Sequence, residues 1–220
     1  MALTKFNFNS FDVTSAASKG LGFNASANGF STIDPGSMTL IKTLTASSSA
    51  TLSFVDGSSD VVLDNTYPIY VFKLINIHPA SDDQNFRINF SADGGSNYNV
   101  TKTTTGFIAE HGENGSGASL AYNTFLDLAQ STGVQSIGYN VGNGNDECLS
   151  GTLHLFNPSS TTFVKHFIVT TNVYDNSNVT RNVFVAGYCN TTSAVNAIQF
   201  TMASGNTDSG TIKLYGIKDS

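Results

Sequence analysis

Ten basic and sixteen acidic residues spread over 220 positions leave a net charge of −6. The basic residues form no cluster, which argues against binding driven by phosphate neutralisation, and no apolar run reaches the length of a membrane-spanning helix. A composition dominated by Ser, Thr, Asn and Gly, with 12% charged residues but 16 Phe and 8 Tyr, disfavours helix interiors and suits strands and turns around an aromatic core.

The length suits one β-sandwich or barrel domain. The first residues, M-A-L-T-K-F-N-F-N-S-F, lack a basic region followed by an apolar stretch, so no secretory signal is expected and synthesis in a cytosol is the default. Residues 1–37 differ in character from the rest. Phe6, Phe8 and Phe11 stand among Asn and Ser, and Phe23 and Phe30 lie in a Gly/Ala-rich stretch with no sustained period. Such a segment is expected to be an extended arm or loop whose aromatics bury against a neighbouring subunit. Ordering it costs about 1–2 kcal/mol per residue. Burying each Phe returns about 1.5–3 kcal/mol. Several aromatic anchors are therefore needed.

Strands follow from residue 38. Met38–Thr45 alternates, and Leu52 and Phe54 share a face. Ile69–Ile77 is apolar on both sides: Tyr70, Phe72 and Leu74 on one, Val71, Ile75 and Ile77 on the other. That pattern predicts a central strand covered on both faces. Phe86–Phe90 alternates cleanly. Residues 101–147 read poorly. Thr103–Thr105 and Phe107–Ala109 suggest a strand, Glu110–Ser119 a Gly-rich loop. Leu120–Ala129 is equally a short helix, a strand or irregular chain. Leu149–Phe156 and Phe163–Thr171 predict a hairpin around N-P-S-S-T-T, and Arg181–Tyr188 another strand. At the C-terminus, Ile198, Phe200 and Met202 alternate with polar neighbours, as do Ile212 and Leu214 beyond a G-N-T-D break. Period two on both sides of a turn predicts a closing hairpin. Eight to ten short strands separated by Gly/Asn/Asp turns predict an all-β sandwich over residues 38–220.

Few residues suggest chemistry. A hairpin symmetric about Ser160 would set His154 opposite His166, yet spacing indicates no third metal ligand. Asp82, Asp83 and Asp93 do not match a calcium loop and read as turn residues. Asp146 and Glu147 are adjacent, and no G-x-S-x-G elbow occurs. Cys148 and Cys189, the only cysteines, are expected to be free thiols rather than a disulfide framework. No catalytic set, cofactor site or metal site emerges, so a non-enzymatic role is expected.

Four blocks carry a resemblance: Asp93–Thr101 (D-G-G-S-N-Y-N-V-T), Ser150–Phe167 (S-G-T-L-H-L-F-N-P-S-S-T-T-F-V-K-H-F), Ala186–Phe200 (A-G-Y-C-N-T-T-S-A-V-N-A-I-Q-F) and Ser209–Ile217 (S-G-T-I-K-L-Y-G-I). Together they resemble small virion proteins of tailed bacteriophages, particularly phages of marine bacteria. The resemblance spans roughly residues 69–217 and implies a jelly-roll-like sandwich with a structural place in the particle. It brings no catalytic residues. The role expected first is a head decoration (cement) protein in the virion, assembled in the cytoplasm of a host bacterium. It would contact the major capsid protein or other virion proteins through Phe6, Phe8, Phe11, Phe23 and Phe30. A homo-oligomer is expected, and capsid symmetry suggests a trimer. The alternative is a carbohydrate-binding, host-recognition module on a tail fibre or tail accessory protein, touching surface glycans through tyrosines such as Tyr67, Tyr98, Tyr122 or Tyr188.

Overall fold

The computed structural model describes residues 20–24, 26, 28–33 and 36–218. In chain order its strands are β1 (Gly20–Phe23), β2 (Phe30–Ile33), β3 (Met38–Thr45), β4 (Leu52–Val55), β5 (Ile69–Pro79), β6 (Gln84–Ser91), β7 (Lys102–Gly112), β8 (Ser119–Tyr122), β9 (Gln135–Val141), β10 (Leu149–Phe156), β11 (Lys165–Tyr174), β12 (Val179–Cys189), β13 (Ala197–Met202) and β14 (Thr207–Ile217). The pairings among them are antiparallel. β1 and β2 make a two-stranded sheet of their own. An eight-stranded sheet runs β3-β14-β5-β10-β11-β12-β7-β8, and a four-stranded sheet runs β4-β13-β6-β9. The two larger sheets pack face to face as an antiparallel β-sandwich.

The connectivity is interleaved. Without β7, β8, β11 and β12, eight strands remain in the two larger sheets. Renumbered along the chain, they lie 1-8-3-6 in one sheet and 2-7-4-5 in the other. The four strands set aside are two inserted hairpins. β7–β8 enters between β6 and β9, and β11–β12 between β10 and β13. The insertions pair with each other through β12 and β7 and widen the large sheet.

Aromatic rings join the sheets. Phe72 of β5 faces Phe54 of β4 at 5.3 Å and Phe200 of β13 at 5.6 Å between ring centroids. Phe200 also touches Phe54 and Phe86, at 6.2 and 5.9 Å. Phe90 of β6 meets Phe167 of β11 at 5.1 Å, carrying the contact under the inserted strands. All these rings are fully buried. At one end Tyr67 lies against Gly216, and a Cβ on that glycine would stand 2.3 Å from the ring. Close approach of an aromatic ring accounts for the glycine in K-L-Y-G-I.

The fold corrects several sequence expectations. The C-terminal pair is not a hairpin. β13 bonds to β4 and β6, whereas β14 bonds to β3 and β5, so the chain crosses from one sheet to the other between Met202 and Thr207. β5 is central in its sheet, but its alternation breaks at Asn76, a non-glycine residue with φ of 50°. The register against β10 shifts there, and Ile77 joins Leu74 in the core instead of sharing the outer face with Ile75. Ile75 is exposed, so β5 is covered fully on one face only. Residues 20–33, expected to lack regular structure, hold the β1–β2 hairpin. β7 continues to Gly112, Leu120–Ala129 opens with β8 and contains no helix, and β9 had no legible pattern.

Two substitutions test this packing by urea unfolding. Phe200→Ala is expected to cost about 3–5 kcal/mol, the range for an aromatic deleted from a core. Gly216→Ala is expected to cost about 1–3 kcal/mol by overpacking against Tyr67.

Candidate functional site

Among the expected interface residues, Phe6, Phe8 and Phe11 lie outside the described residues. Phe23 and Phe30 are brought together. They face each other across β1 and β2, and their rings stack at 5.2 Å. Phe23 is 71% exposed and Phe30 42%. Leu21, two residues from Phe23 on the same strand face, is also exposed. The turn is closed by Asn24, whose backbone N–H donates to Gly29 O at 2.9 Å and whose Nδ2 donates to Asn28 Oδ1 at 2.9 Å. Local polar turn chemistry thus closes the hairpin that carries these two stacked, partly exposed rings.

A second feature lies on the outer face of the large sheet. Along β11, Lys165, Phe167, Val169 and Thr171 point inward and His166, Ile168 and Thr170 outward. The register then sets three outward rows across β11, β12 and β7. One is His166–Tyr188–Thr103, the next Ile168–Ala186–Thr105, the last Thr170–Phe184–Phe107. His166 and Tyr188 lie 6.1 Å apart, and Phe184 and Phe107 stack at 4.8 Å. The small middle row leaves a trough of about 460 Å³ along Thr103, Thr105, His166, Ile168, Ala186 and Tyr188. Sequence reading named Tyr188 but missed the trough. Its one linear signal was an aromatic or apolar residue at outward positions, where a solvated sheet face carries polar ones.

Beneath the trough the inward side of the same strands is unusual. Cys189 pairs with Lys165 on one side and Lys102 on the other. All three are fully buried. Lys102 Nζ donates to Asn89 Oδ1 at 2.6 Å and Val100 O at 2.8 Å, and Lys165 Nζ to Phe163 O and Thr191 O, both at 3.0 Å. These acceptors are neutral, so the ammonium groups are solvated by carbonyls and an amide rather than by carboxylates. Burial lowers the Lys102 pKa to about 8 and pulls Lys165 down as well. Burial also pushes the Cys189 thiol up to about 12, which makes it inert. Cys148 and Cys189 are both free thiols.

The remaining candidates serve structure. His154 lies opposite Ile168, not His166, because the β10–β11 hairpin is centred one residue beyond Ser160. The His166 partner across β12 is Tyr188. Asp93 accepts from Ser91 Oγ at 2.6 Å, from the Asn97 backbone at 2.9 Å and from Asn97 Nδ2 at 2.7 Å, which lower its pKa to about 2 and brace a turn. Asp82 accepts from the backbone N–H of Asp83 and of Asn143, and Glu147 from that of Gly144. Arg181 bonds Glu110 at 3.0 Å and the buried Asp175, and lies 5.5 Å from the Tyr139 ring centre. Among the described residues, no three of His, Cys, Asp and Glu gather in a metal-binding group, and no helix is long and apolar enough to cross a membrane.

The buried lysines make stability depend on pH. A lysine with a depressed folded pKa releases its proton in the native state while the unfolded chain still holds it. The unfolded state then binds more protons, and stability rises with pH through that window. From pH 8 to 9, Lys102 is expected to add up to about 1.4 kcal/mol per pH unit. Above pH 9 the rise is offset, because buried Cys189 keeps its proton to about 12 while the unfolded thiol loses it, and above pH 10 the sign reverses, because burial with the nearby Asp64 charge holds the Tyr70 hydroxyl protonated. Urea titrations at pH 7.5, 8.5 and 9 should show the rise in the native protein, and Lys102→Met should flatten most of it.

Comparison with protein-family models, curated proteins and solved structures returned no match.

Proposed function

We propose that this chain is a structural protein of a tailed-bacteriophage particle, a decoration (cement) protein on the head surface that is held in place rather than turning over a substrate. The observation that carries the reading is the stacked, solvent-exposed Phe23–Phe30 pair on a hairpin belonging to neither large sheet. Apolar rings fixed in solvent are anchors for a partner surface. Burying what remains exposed of both would return about 2–3 kcal/mol at the partner interface. The resemblance of the Asp93–Thr101, Ser150–Phe167, Ala186–Phe200 and Ser209–Ile217 blocks to small virion proteins supports the same reading. So does the interleaved 1-8-3-6 and 2-7-4-5 strand order, which fits a jelly roll with two inserted hairpins. In this reading the partner is the major capsid protein or a neighbouring virion protein, the copies form a homo-oligomer for which capsid symmetry suggests a trimer, and the protein resides in the virion.

The test is occupancy on purified capsids stripped of the protein. Phe23→Ala with Phe30→Ala is expected to weaken binding at least about tenfold, the equivalent of about 1.4 kcal/mol. The urea midpoint should stay unchanged, since neither ring contributes to the sandwich core. Undiminished occupancy of the double variant would count against the hairpin as the anchor. A tail-borne, host-recognition role draws on a different part of the molecule, the trough of the large sheet.

A further inference from the structure

We propose that the trough across β11, β12 and β7 binds an uncharged glycan, with Tyr188 as its principal platform. The site is separate from the β1–β2 hairpin, so it stands whether the protein sits on the head or the tail of a particle.

The geometry begins with the backbone. β12 is bonded along its length to β11 on one side and β7 on the other. No free N–H or C=O edge remains there for strand addition, so a ligand is recognised through side chains alone. Those side chains stand in three rows about 7 Å apart, the two-residue repeat of a strand. Tyr188 and His166 form a wall, and Ile168, Ala186 and Thr105 the floor beside it. The Phe184–Phe107 row stands beyond that floor, outside the lining of the trough. The volume of about 460 Å³ falls in the range of small-ligand sites, about 300–1,000 Å³.

The chemistry fits a sugar ring. A pyranose carries an apolar C–H face that lies against aromatic rings and a rim of hydroxyls that need donors and acceptors. Tyr188 supplies the first. A chain of polar groups beside Tyr188 supplies the second. Asn190 Nδ2 donates to Gln130 Oε1 at 2.6 Å, and Gln130 Nε2 donates to Thr103 Oγ1 at 2.7 Å. Each of these groups uses only part of its bonding capacity in that chain, and Asn190, Thr105 and His166 are exposed. An ordinary protein partner would leave this exposed amide chain unmatched.

Charge selects among glycans. The trough is lined by no Asp, Glu, Lys or Arg. A carboxylated or sulfated sugar would find no cationic partner, and the net charge of −6 repels anionic polymers at long range. The ligand class is therefore a neutral polysaccharide.

The full chain is titrated with hexasaccharides of glucose, mannose, galactose and N-acetylglucosamine, and in parallel with oligogalacturonate. Binding is followed by calorimetry, oligomeric state by sedimentation. The expected result is saturable binding of at least one neutral probe with a Kd of about 1 mM or tighter. Tyr188→Ala and Ala186→Phe, which removes the platform and fills the floor respectively, should each weaken it at least tenfold with unchanged urea midpoints. The Phe23→Ala, Phe30→Ala double variant should bind the probe like the native chain. No saturable binding by any neutral probe overturns the proposal. So does binding confined to oligogalacturonate, or binding that survives both trough variants, or a trough occupied by a second copy of the chain. None of these outcomes bears on docking through the hairpin, which the capsid experiment reads separately.

Discussion

The structure depends on one shared core between two sheets that exchange strands at nearly every step of the chain. Phe72 reaches across from the large sheet, and Phe54, Phe86 and Phe200 meet it from the small one. Because successive strands alternate between layers, each must present its apolar alternation to the same interior. Loss of that layer would separate the sheets rather than loosen one strand. Backbone pairing then follows from position: a strand facing this core bonds to whichever neighbours lie beside it in its layer, whether or not they are its neighbours in sequence.

The inserted hairpins use the same principle for a different end. β11, β12, β7 and β8 extend the large sheet beyond the width of the small one. Part of their inner face is covered by the segment before β9. Leu126 is fully buried there, and Thr104 Oγ1 donates to its carbonyl or to Gln135 Oε1, at 3.1 and 2.7 Å. A Cβ on Gly106 would stand 2.7 Å from Leu126, so the glycine makes room for this cover. The inner side also accommodates Lys102, Lys165 and Cys189, with each ammonium satisfied by neutral acceptors. The outer side, free of packing duties, carries the trough. The two faces of one extension therefore differ, the inner one packed and the outer one open to solvent.

Legibility along the chain tracked how directly a residue reports its own burial. Ile198, Phe200, Met202, Ile212 and Leu214 announced two half-buried strands, and all five are core residues. Their alternation could not say that the strands belong to different sheets, because a turn in a hairpin and a crossing between layers are both short and polar. The Asn76 irregularity was hidden for a similar reason. I-N-I reads as alternation until the extra residue in the bulge shifts Ile77 to the other side. Residues 123–135 had no period because they cover a sheet face as irregular chain, anchored by Leu126 and by Gln135, whose Nε2 donates to the carbonyls of Leu126 and Ser136. Phe23 and Phe30 stood out by composition as expected interface aromatics. Their stacking did not, since it requires the hairpin register.

From the chain alone came the class of the fold and the choice of many core residues. Each of these depends on residue type and on period two, which are local properties. Tertiary structure decided the rest. It assigned the last two strands to opposite layers, placed two lysines beside a buried thiol, and aligned Tyr188, Ala186 and Phe184 with residues from β7 and β11. Those relations join positions far apart in sequence, Cys189 with Lys102 and Ile217 with Met38 among them, and only the register of paired strands, set by the common core, brings them together.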